Sequence, residues 1–123
     1  MTDDAPDQSA ADIVAAEWQY LLEEGAELVD PAMVRAAHAQ PRLRELYPRV
    51  SHGIVFFSRC TGLPAAHVGG QVHPMEDGRF WVRGPVGQGT LGEVATLEEA
   101  FALLAAGLPD NCGPAVDGTA RDL

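Results

Sequence analysis

Histidine and cysteine are the side chains of this sequence best suited to metal binding or nucleophilic catalysis. The chain contains four histidines and two cysteines: His38, His52, His67, His73, Cys60 and Cys112. None of them stands in C-x-x-C, H-E-x-x-H or H-x-H spacing, so the sequence predicts neither a metal site nor a cofactor. His67 and His73 share one loop and are the histidines best placed to approach each other.

The two cysteines are candidate thiol nucleophiles, each with a structural alternative. Cys60 ends an apolar run that also begins near His52. Eight extended residues span about 26 Å, so these two side chains cannot form a Cys–His pair by themselves. Cys112 lies in "NCGPA", a turn that could expose its thiol. The alternatives are a small buried apolar side chain for Cys60 and a packed turn for Cys112.

A third candidate site needs no covalent chemistry. Arg59 and Arg83 end two predicted strands, and Trp81 shares a strand face with Arg83. If no helix covers that face, it offers cation–π and bidentate contacts to a carboxylate or a planar ligand. We therefore expect His52, Arg59, Trp81 and Arg83 to be the ligand-binding or partner-binding residues. The alternative is that Arg83 caps an exposed face and Trp81 packs beneath a loop or the first helix.

The residue composition excludes several reaction classes. The chain contains no lysine, which excludes Schiff-base chemistry and a Walker-type phosphate lysine. It also lacks a G-x-S-x-G nucleophile elbow. The remaining enzymatic possibility is a small cofactor-independent cyclase or isomerase that uses histidine and arginine as acid, base or anion clamp.

A G-x-G-x-x-G pattern at Gly87, Gly89 and Gly92 raises the question of a dinucleotide-binding loop. Such a loop needs its last glycine to open a helix, because the phosphates bind the free N–H groups there. Here the helix begins later, at a capping box formed by Thr96 and Glu99. The pattern therefore predicts a turn between two strands rather than a nucleotide site.

Hydrophobic periodicity predicts an α+β fold in two layers. N-terminal helices come first, then a three- to four-stranded antiparallel sheet, then a C-terminal helix. Helices are predicted after the caps Ser9, Asp30 and Thr96, with a short turn in "PRLRELYP". Strands are predicted in "HGIVFFSRC", weakly around Val68 to Val72, in "RFWV" and in "TLGEVAT". We expect a disordered segment 1–8, a single domain 9–116 and a flexible tail 117–123.

Charge is distributed unevenly along the chain, whose net charge is −10. Residues 1–30 hold nine acidic residues and no basic one, whereas residues 31–60 hold five arginines and one glutamate. We expect the acidic first helix to pack near the basic middle segment, or that segment to bind an anion or an acidic partner. The acidic balance argues against nucleic-acid binding. With no leader or membrane segment visible, the sequence indicates a cytoplasmic protein with reduced thiols.

The sequence contains the motif L-R-x-L-Y-P at residues 43–48 and C-G-P-A-x-D-G-T at residues 112–119. With several other short motifs, these resemble a family of small, uncharacterised actinobacterial proteins associated with natural-product biosynthesis. The similarity extends over residues 12 to 119 and departs from the family pattern in the loop 63–76, where more aromatic residues would be expected. The other motifs are S-H-G, F-S-R-C and "TLEEAFALLAAGLP". The resemblance implies a setting near biosynthetic genes and no particular reaction or catalytic residue.

The functional expectation is an accessory protein of a bacterial natural-product pathway, with no catalysis assigned. It would bind a pathway protein or a small-molecule or peptide intermediate, and it could self-associate as a homodimer. The cofactor-independent enzyme is the first alternative. The second is an immunity or regulatory protein that meets its partner through the acidic first helix.

Overall fold

A computed structural model of the protein describes residues 9–85, 88–110 and 112–123. The predicted disordered segment 1–8 lies outside the described residues. Along the described parts of the chain, no helix combines the length and the apolar composition that a membrane crossing requires. The helices are α1 (Ala10–Glu24), α2 (Pro31–His38), α3 (Pro41–Arg44) and α4 (Leu97–Ala106), with 3-10 turns at Gly25–Glu27 and Ala120–Asp122.

Side chains at the predicted caps start the three longer helices. Ser9 Oγ accepts the Asp12 N–H at 3.1 Å at the start of α1. Asp30 caps α2, whose first residue is proline. Thr96 Oγ1 accepts the Glu99 N–H at 3.1 Å at the start of α4. Each cap satisfies an amide that the first helical turn leaves without a partner, so these helix starts are confirmed.

In the part of the chain that the structure describes, six strands form two antiparallel sheets of three strands each. The first sheet has the order β1-β2-β3 and the second the order β4-β5-β6. The α+β class, the N-terminal helices and the C-terminal helix are confirmed, with the strands divided over two sheets instead of one. The strands are β1 (Tyr47–Ser51), β2 (Ile54–Ser58), β3 (His67–Val68), β4 (Gln71–Pro74), β5 (Phe80–Arg83) and β6 (Thr90–Val94).

The strand predicted in "HGIVFFSRC" begins two residues later than expected. His52 and Gly53 form the two-residue turn between β1 and β2, and Ser51 pairs with Ile54 across it. Both turn residues have positive φ, 53° and 77°, as a type I′ hairpin requires. The predicted strand is therefore wrong at its first two residues, since His52 lies at the hairpin tip.

The glycine pattern after β5 belongs to a hairpin, as predicted. β5 pairs antiparallel with β6, and the register shifts between Val82 and Arg83. Gly89 has a φ of 68°, and its carbonyl accepts the Gly84 N–H at 2.6 Å. Gly87 lies outside the described residues. Because Gly92 is within β6, the chain does not enter a helix at this point and the geometry of a dinucleotide loop is not formed.

Aromatic contacts in the core join the first sheet to α1 and α4, and α4 also packs on the second sheet. The Phe57 ring lies 6.3 Å from that of Trp18 on α1 and 6.4 Å from that of Phe101 on α4. α4 packs against all three strands of the second sheet, over the face that buries Val72 and Val82. The alternate residues of these strands point away from α4, which leaves a second, more polar face.

A C-terminal segment closes the first sheet. Val116 forms a parallel bridge with Cys60, and the Ala115 N–H donates to the Glu45 carbonyl at 2.9 Å. Further on, the Ala120 N–H donates to the Pro64 carbonyl at 2.9 Å. The region predicted as a flexible tail thus includes a 3-10 turn that is hydrogen-bonded to the loop before β3.

Candidate functional site

A cleft of about 520 Å³ lies where the two sheets meet. Its volume is within the range typical of small-ligand sites. The first sheet contributes one part of the lining and the second sheet the other, and loop glycines and a proline complete it. The lining residues are Phe56, Phe57, His67, Val68, Gly69, Gly70, Gln71, Arg83, Gly84, Pro85, Gln88, Gly89, Gly107 and Pro109.

Gln71 and Arg83 form the polar centre of the cleft. They are cross-strand partners on β4 and β5, so their side chains leave the same face of the sheet side by side. His73 Nε2 lies 2.9 Å from Gln71 Oε1. When the ring N–H donates to that amide oxygen, it leaves the Gln71 NH₂ group free to donate toward the cleft. Gln71 and Arg83 can therefore present hydrogen-bond donors to one ligand.

No carboxylate neutralises Arg83 among the described residues. The ion pair present in this part of the structure joins Arg79 Nη1, in the residue before β5, to Glu93 Oε1 on β6 at 3.6 Å. Arg83 is exposed, and its guanidinium has five N–H donors in a planar fork suited to carboxylates. The guanidinium therefore retains its capacity to bind an anion.

Two aromatic pairs flank this centre, and only one of them lines the cleft. The rings of Phe56 and His67 are 5.5 Å apart on the first sheet, within the cleft. Trp81 instead packs against His73, with ring centroids 5.2 Å apart. Its Nε1–H donates to Thr90 Oγ1 at 2.8 Å. Trp81 thus holds His73 in place, and the rings of Phe56 and His67 are available to a ligand.

Glycines allow neighbouring segments of the second sheet to approach each other beside the cleft. A Cβ atom on Gly70 would overlap the Arg83 carbonyl oxygen and lie 2.8 Å from its carbon. A Cβ atom on Gly84 would lie 2.9 Å from the Gly89 carbonyl oxygen. Side chains at these positions cannot fit beside the neighbouring backbone, so backbone atoms line this part of the cleft.

Burial and the nearby Arg83 guanidinium both lower the pKa of His73 below its usual 6.5. When the pH is lowered, His73 is therefore protonated at a higher pH in the unfolded chain than in the folded protein. As the pH falls from 6.5 to the folded-state pKa of His73, the free energy of unfolding should decrease. Burial and Arg44 lower the pKa of His38 as well, which adds a decrease of the same sign.

NMR titration of the individual histidine ring protons can separate these two contributions. We expect Arg83→Gln to raise the pKa of His73 and to leave that of His38 unchanged, because Arg44 is the cation that acts on His38. A His73 pKa at or above 6.5, or one that does not respond to Arg83→Gln, would contradict the proximity of the two groups.

The structure brings only Arg83 of the predicted residues into the cleft lining. His52 is exposed at the hairpin tip, where Ser51 Oγ lies 3.0 Å from its Nδ1. Arg59 follows β2, with its Nε buried and without a hydrogen-bond partner among the described residues. Trp81 lies two residues before Arg83 on β5, where it pairs with His73 instead of Gln71. The binding geometry therefore depends on Arg83.

The two cysteines lie in different environments. Cys60 is fully buried, and its Sγ is 3.6 Å from the Pro64 carbonyl oxygen and 3.5 Å from Ser58 Oγ. Cys112 is half-buried and packs against the edge of the core. Neither lines the cleft. A buried thiol is inaccessible to substrate in this conformation, so the arrangement favours the packing role for Cys60.

The basic middle segment uses some of its arginines in structural contacts. Arg42 Nη1 donates to the Ala105 carbonyl at 3.3 Å, near the C-terminal end of α4. Arg49 stacks over the Tyr47 ring at 5.0 Å and lies near Glu17 of α1. Burial raises the pKa of Glu17, and Arg49 and Tyr47 partly offset that rise. The acidic first helix thus packs beside the basic segment at this point.

The described residues hold no group of three histidine, cysteine, aspartate or glutamate side chains that could bind a metal ion. Sequence reasoning missed Phe56 and Gln71 as cleft residues, and it singled out His67 as a loop histidine without placing it beside Arg83. A signal was available for Gln71, since the alternation in "QVHP" puts it on one face with His73. The position of Phe56 and His67 beside Arg83 depends on how the two sheets meet.

Comparison with known sequences and structures gives one match. The family described as Family of unknown function (DUF6193) matches residues 12–119. No curated protein and no solved structure shows significant similarity to the chain.

Proposed function

This chain belongs to the DUF6193 family of unknown function, and we propose that it is a non-catalytic accessory protein that binds an acidic small-molecule or peptide intermediate. The observation that carries this proposal is the cleft in which Arg83, without an acidic partner among the described residues, stands beside Gln71. Two adjacent donor groups in a concave site suit a carboxylate, which accepts several hydrogen bonds.

The cellular setting of the proposal rests on the sequence. The motif resemblance supports an actinobacterial origin and a place in natural-product biosynthesis. The composition supports a cytoplasmic protein that does not bind nucleic acid or membranes. The protein would either carry the intermediate or present it to a pathway enzyme, and self-association as a homodimer would place two clefts on one particle.

Native mass spectrometry of the untagged protein from its own host tests the proposed function. We expect a bound small acid on the wild type and on Arg79→Gln, and loss of that acid in Arg83→Gln. Arg79 is the matched control because it immediately precedes β5, already pairs with Glu93 and does not line the cleft. A bound molecule that persists in Arg83→Gln would contradict the assignment of this site.

A cofactor-independent enzyme is the second candidate, favoured by the presence of His67 in the same cleft as Arg83. The arginine would hold an acidic substrate while the imidazole transfers a proton. His67→Gln should then abolish turnover of the acid identified by mass spectrometry, with a much smaller effect on its binding. If His67→Gln and the wild type both leave the acid unchanged, the accessory function is favoured.

A further inference from the structure

We propose that the cleft selects aromatic monocarboxylates, with the carboxylate on Arg83 and Gln71 and the ring against Phe56 and His67. This inference rests on the proposed function and adds the chemical class of its ligand. It is based on three properties of the cleft: its single positive charge, the amide beside that charge and the aromatic pair on the other sheet.

The charge of the cleft favours a ligand with one negative charge. Arg83 is the only arginine among the described lining residues, and the chain contains no lysine. The protein as a whole carries a net charge of −10. A phosphate dianion or a polyphosphate would meet one cation in a strongly negative field, whereas a monocarboxylate is neutralised by it.

The orientation of Gln71 favours a planar acceptor. His73 is paired across the sheet with Trp81 and donates toward Gln71 Oε1 over 2.9 Å. This contact fixes the plane of the Gln71 amide and directs its NH₂ group away from His73. Because Gln71 and Arg83 are cross-strand partners, a carboxylate can bind the guanidinium and accept from the Gln71 amide with its other oxygen.

The Phe56–His67 pair favours an aromatic body over an aliphatic one. The two rings are 5.5 Å apart and tilted by 34°, and both line the cleft on the sheet opposite Arg83. A third ring can pack against this pair in an offset or edge-to-face arrangement. The glycines of the lining, including Gly69 and Gly107, leave room for a flat group between the sheets.

The test compares four probes by NMR titration of the ¹⁵N-labelled protein. The first is 2-naphthoate, which carries both the ring and the charge. 2-Naphthalenemethanol keeps the ring without the charge, acetate keeps the carboxylate without the ring, and inorganic phosphate supplies a different anion. We expect 2-naphthoate to bind at least about 10-fold tighter than each of the others, with shifts at the amides of Gln71 and Arg83.

Three variants assign the two halves of the site. Arg83→Gln should weaken 2-naphthoate and acetate binding by about 10- to 100-fold, because it removes a charged hydrogen-bond donor. Phe56→Leu should weaken 2-naphthoate by about 3- to 10-fold and leave acetate unchanged. His67→Ala removes the second ring of the pair and should also weaken 2-naphthoate binding. His67 is exposed, so this substitution should not prevent folding. Arg79→Gln should bind all four probes as the wild type does.

Each other outcome overturns a defined part of the proposal. Equal affinity for acetate and 2-naphthoate would remove the aromatic preference and leave the proposed acid-binding function standing. Tighter binding of phosphate than of 2-naphthoate would remove the monocarboxylate assignment. If neither carboxylate shifts the cleft amides, the aromatic selectivity and the proposed function both fail.

Discussion

Gly70→Ala should destabilise the protein by roughly 3 kcal/mol or more, or prevent folding. The added methyl group would overlap the Arg83 carbonyl oxygen and lie 3.0 Å from the Gly84 Cα atom. These are backbone atoms, so no rotamer change can relieve the overlap. β4 would have to move away from β5 and lose ladder hydrogen bonds beside the cleft. Urea unfolding followed by circular dichroism measures the change.

Two other glycines provide matched controls for Gly70→Ala. A Cβ atom on Gly113 would have no neighbour within 4 Å, so Gly113→Ala should change stability by less than about 0.5 kcal/mol. Gly78 has equally open surroundings but a φ of 86°, so Gly78→Ala should cost about 1 kcal/mol from conformation alone. If Gly70→Ala is as mild as Gly78→Ala, the close approach of β4 and β5 is wrong.

Trp18→Ala should destabilise the protein by about 3–5 kcal/mol. The Trp18 side chain is 1% exposed and packs against Phe57 and His38. Its Nε1–H donates to the Leu46 carbonyl at 3.1 Å, so removing the indole leaves both a cavity and an acceptor without its partner. Thermal and urea unfolding of the variant measure the loss.

A second variant and a control on the same helix sharpen this result. Trp18→Phe keeps most of the apolar volume but removes the hydrogen bond, and we expect it to cost about 1–3 kcal/mol. Tyr20 is 45% exposed, so Tyr20→Ala should be much milder than either substitution. Equal losses for Trp18→Ala and Tyr20→Ala would show that the buried face of α1 is misassigned.

Local signals predicted the helices well because the determining residues are adjacent in sequence. Thr96 and Glu99 start α4 through contacts three residues apart, and Asp30 with Pro31 starts α2 in the same way. Such caps depend on little outside their own turn. The turn after β5 was also predictable. The cap at Thr96 shows that the next helix begins after the glycines, so Gly92 cannot be at a helix start.

The first strand was not predictable from its composition. β1 contains Pro48 and Arg49, residue types that are poor or neutral strand signals, and it pairs on one side only. The connection uses His52 and Gly53 instead of the common Asn-Gly, which concealed the hairpin. Pairing with β2 and packing against α1 outweigh these weak local preferences.

Of the residues that line the cleft, the sequence predicted only Arg83 as a binding residue. Arg83 stood out as a cation at the end of a strand. The apolar run around Phe56 indicated a core residue. The sequence around His67 indicated a loop. They meet Gln71 and Arg83 because β2 packs beside β4, a contact between segments that local periodicity does not encode. Contacts between residues that are distant in sequence therefore determine which side chains line the cleft.

The closing segment at Ala115 and Val116 has a consequence for synthesis of the protein in the cell. It hydrogen-bonds to Glu45 and Arg59, more than fifty residues earlier in the chain, and bridges Cys60. The first sheet therefore cannot complete its native packing until this segment has left the ribosome. Folding of this domain would finish after translation of residue 116, and accessibility of the Cys60 thiol to a maleimide on stalled nascent chains would report that moment.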